Sequence, residues 1–207
     1  ETDIDITIIG KKRPRGICGS GLIDLIAQMF LRGYIDKKGR IETTASERVR
    51  SSGRGMEFVV HHEAGKRDIA VSDDDIANVI RTKAAIYAGC SVLLQSVDKA
   101  FSDVDRLYIA GGFGQHIDID NAQVIGLLPE VPRDRFQFLG NASLGGSKLC
   151  LLSERMRAEA LDIYRATTYV DLSSSQAFFD QYSSALFLPH TEIDQFPMVR
   201  ERLDANR

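Results

Sequence analysis

The stretch Leu107-Tyr108-Ile109-Ala110-Gly111-Gly112-Phe113-Gly114-Gln115 constrains the chain more than any other. Leu107, Tyr108 and Ile109 suit the interior of a sheet. Gly111 and Gly112 carry no Cβ, so the backbone there can turn sharply or let a ligand lie against it. Asp118-Ile119-Asp120-Asn121-Ala122 then reads as a helix start, with carboxylates at the positive end of the dipole. Strand, glycine turn and helix is the arrangement in which α/β proteins hold nucleotides, at the carboxyl edge of the sheet. A tight turn that binds nothing is the plainer reading of a glycine pair, because short motifs recur by chance.

Composition narrows the classes. The 207 residues suit one large domain or one lobe of a larger protein, and 43% hydrophobic residues suffice for a core. A net charge of −3 makes no electrostatic case for nucleic acid. No apolar run is long enough for a membrane-spanning helix. The chain opens with the alternating Asp3-Ile4-Asp5-Ile6-Thr7-Ile8, which predicts a strand, and without a Met, as a piece of a longer protein would. Cys18, Cys90 and Cys150 are far apart in sequence and form no CxxC pair. They read as buried thiols of a reduced, cytoplasmic protein rather than as ligands of zinc or an iron–sulfur cluster.

A second glycine-rich turn, Gly16-Ile17-Cys18-Gly19-Ser20-Gly21, leads into a helix with apolar residues at 22, 25, 26, 29 and 30, ending near Gly33. Its free N–H groups suit an anion. Close packing on a neighbour explains the glycines equally well. Strands are expected at 57–60 and 68–71, joined by a hairpin loop that carries His61, His62 and Glu63, and an exposed loop is expected over 43–55. Ser72 and Asp75 form a capping-box pattern opening a long helix that runs to about Phe101. Lys83 falls on that helix's apolar stripe. Its amine either snorkels to water or reaches an acidic group or phosphate at the sheet edge.

Beyond Pro129 and Pro132, the strand 136–139 ends in a third special turn, Gly140-Asn141-Ala142-Ser143. Asn141 either donates to a ligand or tolerates a left-handed backbone. Gly145 and Gly146 near the following helix start predict close packing on the sheet. That helix is expected to continue through Ile163, followed by a strand at 168–172 and a short helix bearing Phe178, Phe179 and Tyr182. Residues 1–188 form the main body and 189–207 a peripheral tail.

Together these elements resemble the second lobe of the actin-like ATPases: an α/β, ribonuclease H-like lobe with a mixed sheet flanked by helices. The segments GICGSGLIDLIA, DDDIANVIRTKAAIYAG, IAGGFGQHIDIDNAQVIGLLP and LGNASLGGSKLCLLS carry a closer resemblance, from about Gly16 to Phe187, to the C-terminal domain of the reductive activators of corrinoid proteins. The resemblance implies a protein that uses ATP with Mg²⁺ to return a Co(II) corrinoid protein to Co(I), with the electron coming from an iron–sulfur domain absent from this chain. It implies that Gly111, Gly112, Phe113 and Gly114 pack against the adenosine and that Gly19, Ser20 and Gly21 line the cleft, with Lys83 and Asn141 as further contacts. A corrinoid protein is the implied partner, and a homodimer is possible. This chain alone is expected to be inactive, since the upstream phosphate-binding segments are missing. Two other readings stay open: a dimerisation or corrinoid-docking module with little nucleotide binding, and a lobe of a small-molecule kinase.

Overall fold

The computed structural model describes residues 4–11, 13–44, 46–53, 55–112 and 114–206. Residues 4–8 form no strand, and only a 3₁₀ turn, Ile9–Lys11, precedes the first helix. The alternation at the start is not the signature of a sheet, because Ile6 and Ile8 are both exposed.

Helix α1 spans Gly19–Leu31 and ends as expected, with Gly33 at φ 72° just beyond it. There the Gly33 and Tyr34 amides donate to the Phe30 and Met29 carbonyls. Three antiparallel strands follow: β1 (Val49–Ser52), β2 (Gly55–His61) and β3 (Ile69–Ser72), in the order β1-β2-β3. Strand β1 lies inside the stretch expected to be loop. Its polar sequence hides it, but pairing of Val49 with Phe58 recruits it to the sheet. Helix α2 (Asp73–Gln95) opens on the capping box: the Ser72 amide and hydroxyl donate to Asp75 Oδ2, and the Asp75 amide donates to Ser72 Oγ. It stops at Gln95 rather than near Phe101. Asp98 takes a left-handed φ of 54°, and the Lys99 amide closes the turn on the Leu94 carbonyl.

Strand β4 (Leu107–Ala110), helix α3 (Ile119–Val124) and strand β5 (Phe136–Gly140) come next. β4 and β5 pair in parallel as a separate two-stranded sheet, so parallel and antiparallel pairings occupy different sheets. The helix expected from 142 onward is two, α4 (Ala142–Leu152) and α5 (Glu154–Ala166). Ser153, with an extended backbone, breaks the first and caps the second by accepting from the Met156 amide. Residues 168–172 form no ladder, and Tyr169 is 84% exposed. Helices α6 (Gln176–Ala185) and α7 (Pro197–Ala205) complete the chain.

The core lies between α1, the antiparallel hairpins, α2, α3 and the C-terminal segment. That segment is not peripheral. Phe196 is 0% exposed, Val199 is buried, and Glu130 accepts from the Met198 and Val199 amides at the start of α7. Isolated apolar residues such as Phe196 and Met198 in a polar stretch do not by themselves mark a buried helix. Lys83 explains part of the docking. It neither snorkels nor reaches a sheet edge. It is 1% exposed, and its Nζ donates to the carbonyls of Phe187 at 2.5 Å and Pro189 at 2.6 Å. The thiols also depart from expectation: Cys18 and Cys90 are exposed and Cys150 is half-buried.

Helices α4 and α5 bury no residue, and Leu151 and Tyr164 are 78% and 77% exposed. Gly145 and Gly146 meet nothing within 4 Å of an added Cβ, so they do not mark close packing on the sheet. No described helix is long and apolar enough to cross a membrane.

Two outcomes follow. Gly126 holds φ 72°, and an added Cβ would stand 2.1 Å from the Pro189 carbonyl oxygen. Gly126→Ala is therefore expected to lower unfolding free energy by more than about 1 kcal/mol in urea titrations, with the tail released first in hydrogen exchange. Burial pushes the Lys83 pKa from 10.5 down to about 7. Between those values the unfolded chain holds a proton that the folded one lacks, so stability rises with pH across that window. Relative to Lys83→Met, the wild-type chain should gain more than about 1.4 kcal/mol between about pH 7 and about pH 10. A parallel pair of pH profiles would contradict that assignment.

Candidate nucleotide-binding site

The parallel pairing of β4 with β5 brings two special turns to one edge. At the end of β4, Gly111 adopts φ 102°, which L side chains rarely adopt. At the end of β5, Gly140 adopts φ 64°. The Gly111 amide donates to the Gly140 carbonyl at 2.6 Å, so the last bond of the ladder joins the two turns. An added Cβ at Gly111 or Gly112 would meet nothing within 4 Å. The glycine pair therefore leaves bare main chain facing open space, as a cradle for a flat ligand requires. Gly114 is glycine for a different reason: a Cβ there would stand 2.5 Å from Ile109 Cγ2, so the chain folds back on its own strand. Phe113 lies outside the described residues.

Asn141 caps α4. Its Oδ1 accepts from the Leu144 amide at 3.0 Å, and its backbone φ of −79° is not left-handed. The left-handed position is Gly140, one residue earlier, and the cap leaves the Asn141 carboxamide NH₂ as its remaining donor. Lys83 has its amine committed to the interior carbonyls of Phe187 and Pro189 rather than to this edge.

Gly19, Ser20 and Gly21 form the first turn of α1. Cys18 is its cap, with Sγ accepting from the Gly21 amide at 3.4 Å and lying 3.4 Å from Ser20 Oγ. The Ser20 hydroxyl and then the Gly21 amide hold the Cys18 thiol pKa below its usual value, against the opposing charge of Asp24. A Cβ on Gly21 would lie 3.3 Å from that sulfur, so the cap itself favours glycine here.

Sequence reasoning missed the link between these turns. α1 packs on α3, the helix that the glycine pair leads into, and Asn121 Nδ2 donates to Asp24 Oδ1 at 2.8 Å while its Oδ1 accepts from Gln28 Nε2 at 3.1 Å. Asp118 caps α3 by accepting from the Asn121 amide at 2.8 Å. The Asp118-x-x-Asn121 spacing signalled the cap, but nothing in the sequence signalled a partner 97 residues away. His62, from the expected loop, pairs with Asp68 at 2.6 Å. Among the described residues no group of three His, Cys, Asp or Glu side chains could hold a metal ion.

With this geometry in view, similarity to known proteins is informative. Residues 1–200 match the family described as the C-terminal domain of RACo, the ASKHA domain. The chain is 35% identical over 190 residues to the corrinoid activation enzyme RamQ of Eubacterium limosum, covering 86% of this chain and 32% of the relative. It is 22% identical over 169 residues to the [Co(II) methylated amine-specific corrinoid protein] reductase of Methanosarcina barkeri, covering 81% of this chain and 28% of the relative. Among solved structures, a reductive activator for corrinoid, iron–sulfur protein superposes with a TM-score of 0.82 at 44% identity, over 88% of this chain and 30% of that one. The chain thus spans about a third of the length of these proteins.

Proposed function

Because this chain belongs to the family of RACo-type C-terminal ASKHA domains, we propose that it is the nucleotide-binding lobe of an ATP-dependent reductive activator of corrinoid proteins. The observation that carries the reading is the open main chain of Gly111 and Gly112, tied to Gly140 at the same sheet edge. Those turns would take the adenine and ribose, which need a flat surface free of side chains more than they need charge. The first turn of α1, with Ser20 and the glycines beside it, would face the cleft. Asn141 would offer its carboxamide NH₂ to the same ligand. Lys83 has no part in this reading, because its amine is buried among carbonyls.

The whole protein would couple ATP hydrolysis to the delivery of one electron to a Co(II) corrinoid, giving Co(I). Its iron–sulfur cluster and its Mg²⁺ with the phosphate groups would be held by the remainder of a protein about three times this length. Phosphoryl transfer depends on positioned charges around the phosphates, so this lobe alone is expected to bind nucleotide weakly and turn over little. Closure of the cleft on nucleotide would bias a two-state arrangement that the corrinoid partner reads.

Gly112 separates binding from folding. Its φ lies outside the left-handed region and its Cβ direction is open, so Gly112→Leu should fold normally while its side chain fills the ligand's space. In the full-length protein this variant is expected to weaken ATP binding by more than about tenfold, equivalent to about 1.4 kcal/mol, with an unchanged thermal midpoint. Tight ATP binding that survives Gly112→Leu would refute the site.

A second reading, a docking or dimerisation module, draws on the exposed apolar stripes of α4 and α5. It expects Leu151→Glu combined with Tyr164→Glu to abolish self-association or corrinoid-protein capture in sedimentation of the full-length protein, while ATP affinity stays the same.

A further inference from the structure

We infer that Asn121 is a positioning residue that sets the α1 turn and the glycine pair at the separation a nucleotide needs. The inference rests on the nucleotide-site reading above. The two turns belong to different parts of the chain, and no ladder bond joins them. Gly19–Gly21 open α1, whereas Gly111 and Gly112 end β4 and reach α3 only through a short 3₁₀ turn, Gly114–His116. Beyond the shared apolar core of α1 and α3, one carboxamide ties them by directional bonds. Asn121 donates to Asp24 at 2.8 Å and accepts from Gln28 at 3.1 Å, so it reads two positions one helical turn apart on α1. Bonds at both its oxygen and its nitrogen fix α3 along α1 as well as against it, where apolar contacts alone would permit sliding.

The arrangement is polarised. Asp24 is one turn into α1 from Gly21, close enough that its charge acts on the Cys18 cap. A charged acceptor makes the Asn121 bond stronger than a neutral pair. The backbone role of Asn121 is separate: its amide is held by Asp118, and that cap needs only a backbone N–H, which alanine and aspartate keep. The side chain can therefore be altered without removing the start of α3.

The test uses the full-length protein, with Mg²⁺ and a fluorescent ATP analogue as probe and thermal unfolding measured in parallel. Asn121→Asp sets one carboxylate against another and should weaken the analogue's binding about tenfold. Asn121→Ala, which keeps the backbone cap, should weaken it to a similar degree. Exchanging the pair as Asp24→Asn with Asn121→Asp restores donor to acceptor in the reverse sense and leaves Gln28 its oxygen. Affinity should return to within about threefold of wild type. Single variants that lower the thermal midpoint yet bind the analogue as wild type while fully folded would overturn the inference, since a merely structural bond predicts that result. So would an exchanged pair that binds no better than Asn121→Asp. If Gly112→Leu also binds as wild type, the nucleotide site itself is wrong. If Gly112→Leu loses binding while the Asn121 variants keep it, only the positioning role falls.

Discussion

One buried amine organises the interior. Lys83 sits on the stripe of α2 where a hydrophobic residue belongs, and two short bonds to the Phe187 and Pro189 carbonyls are what make its burial tolerable. Those carbonyls belong to the segment leading into α7, so the same bonds that satisfy the amine fasten the end of the chain to the middle of α2. His190 and Phe196 then pack as tilted rings against Tyr87, and the Tyr87 hydroxyl donates to Gln195 Oε1. Burial lowers the His190 pKa, with the Lys83 charge adding to the effect, so the imidazole is biased toward its neutral form.

The candidate site lies at the opposite extreme of order. β4 and β5 form a parallel pair, and such strands are ordinarily covered on both faces. Here Tyr108 is 55% exposed, and α4 and α5 bury nothing. The site is thus built on a sheet edge that gains little from its own domain. What holds it is a few directional bonds: the Gly111–Gly140 bond, the Asn141 cap and the Asn121 carboxamide bonds to α1. A site fastened by a few directional bonds rather than by packing suits the nucleotide-driven closure proposed above.

Much of this was legible in the residues themselves. The capping box at Ser72 and Asp75 and the stop at Gly33 rest on interactions within a few residues of each other, which short-range patterns record faithfully, and the runs that form β2 to β5 show in their local composition although their pairing is longer-range. Where the reading failed, the deciding partner was distant. β1 was hidden because its polar residues become strand only against Phe58. Of the two readings of Asn141, the left-handed one fails, because Gly140 beside it takes that conformation. The tail looked peripheral because Phe196 shows its burial only when Tyr87 of α2 stands beside it.

The division is physical. By itself the sequence determined where the backbone can bend and where helices start, since each depends on local sterics and hydrogen bonds, and its motifs in combination carried the family resemblance. The tertiary structure alone decided that Lys83 is interior rather than at a sheet edge, that the two strand-end turns share a bond, and that Asn121 joins α3 to α1. Those outcomes depend on which distant groups desolvate one another, and no spacing along the chain encodes them.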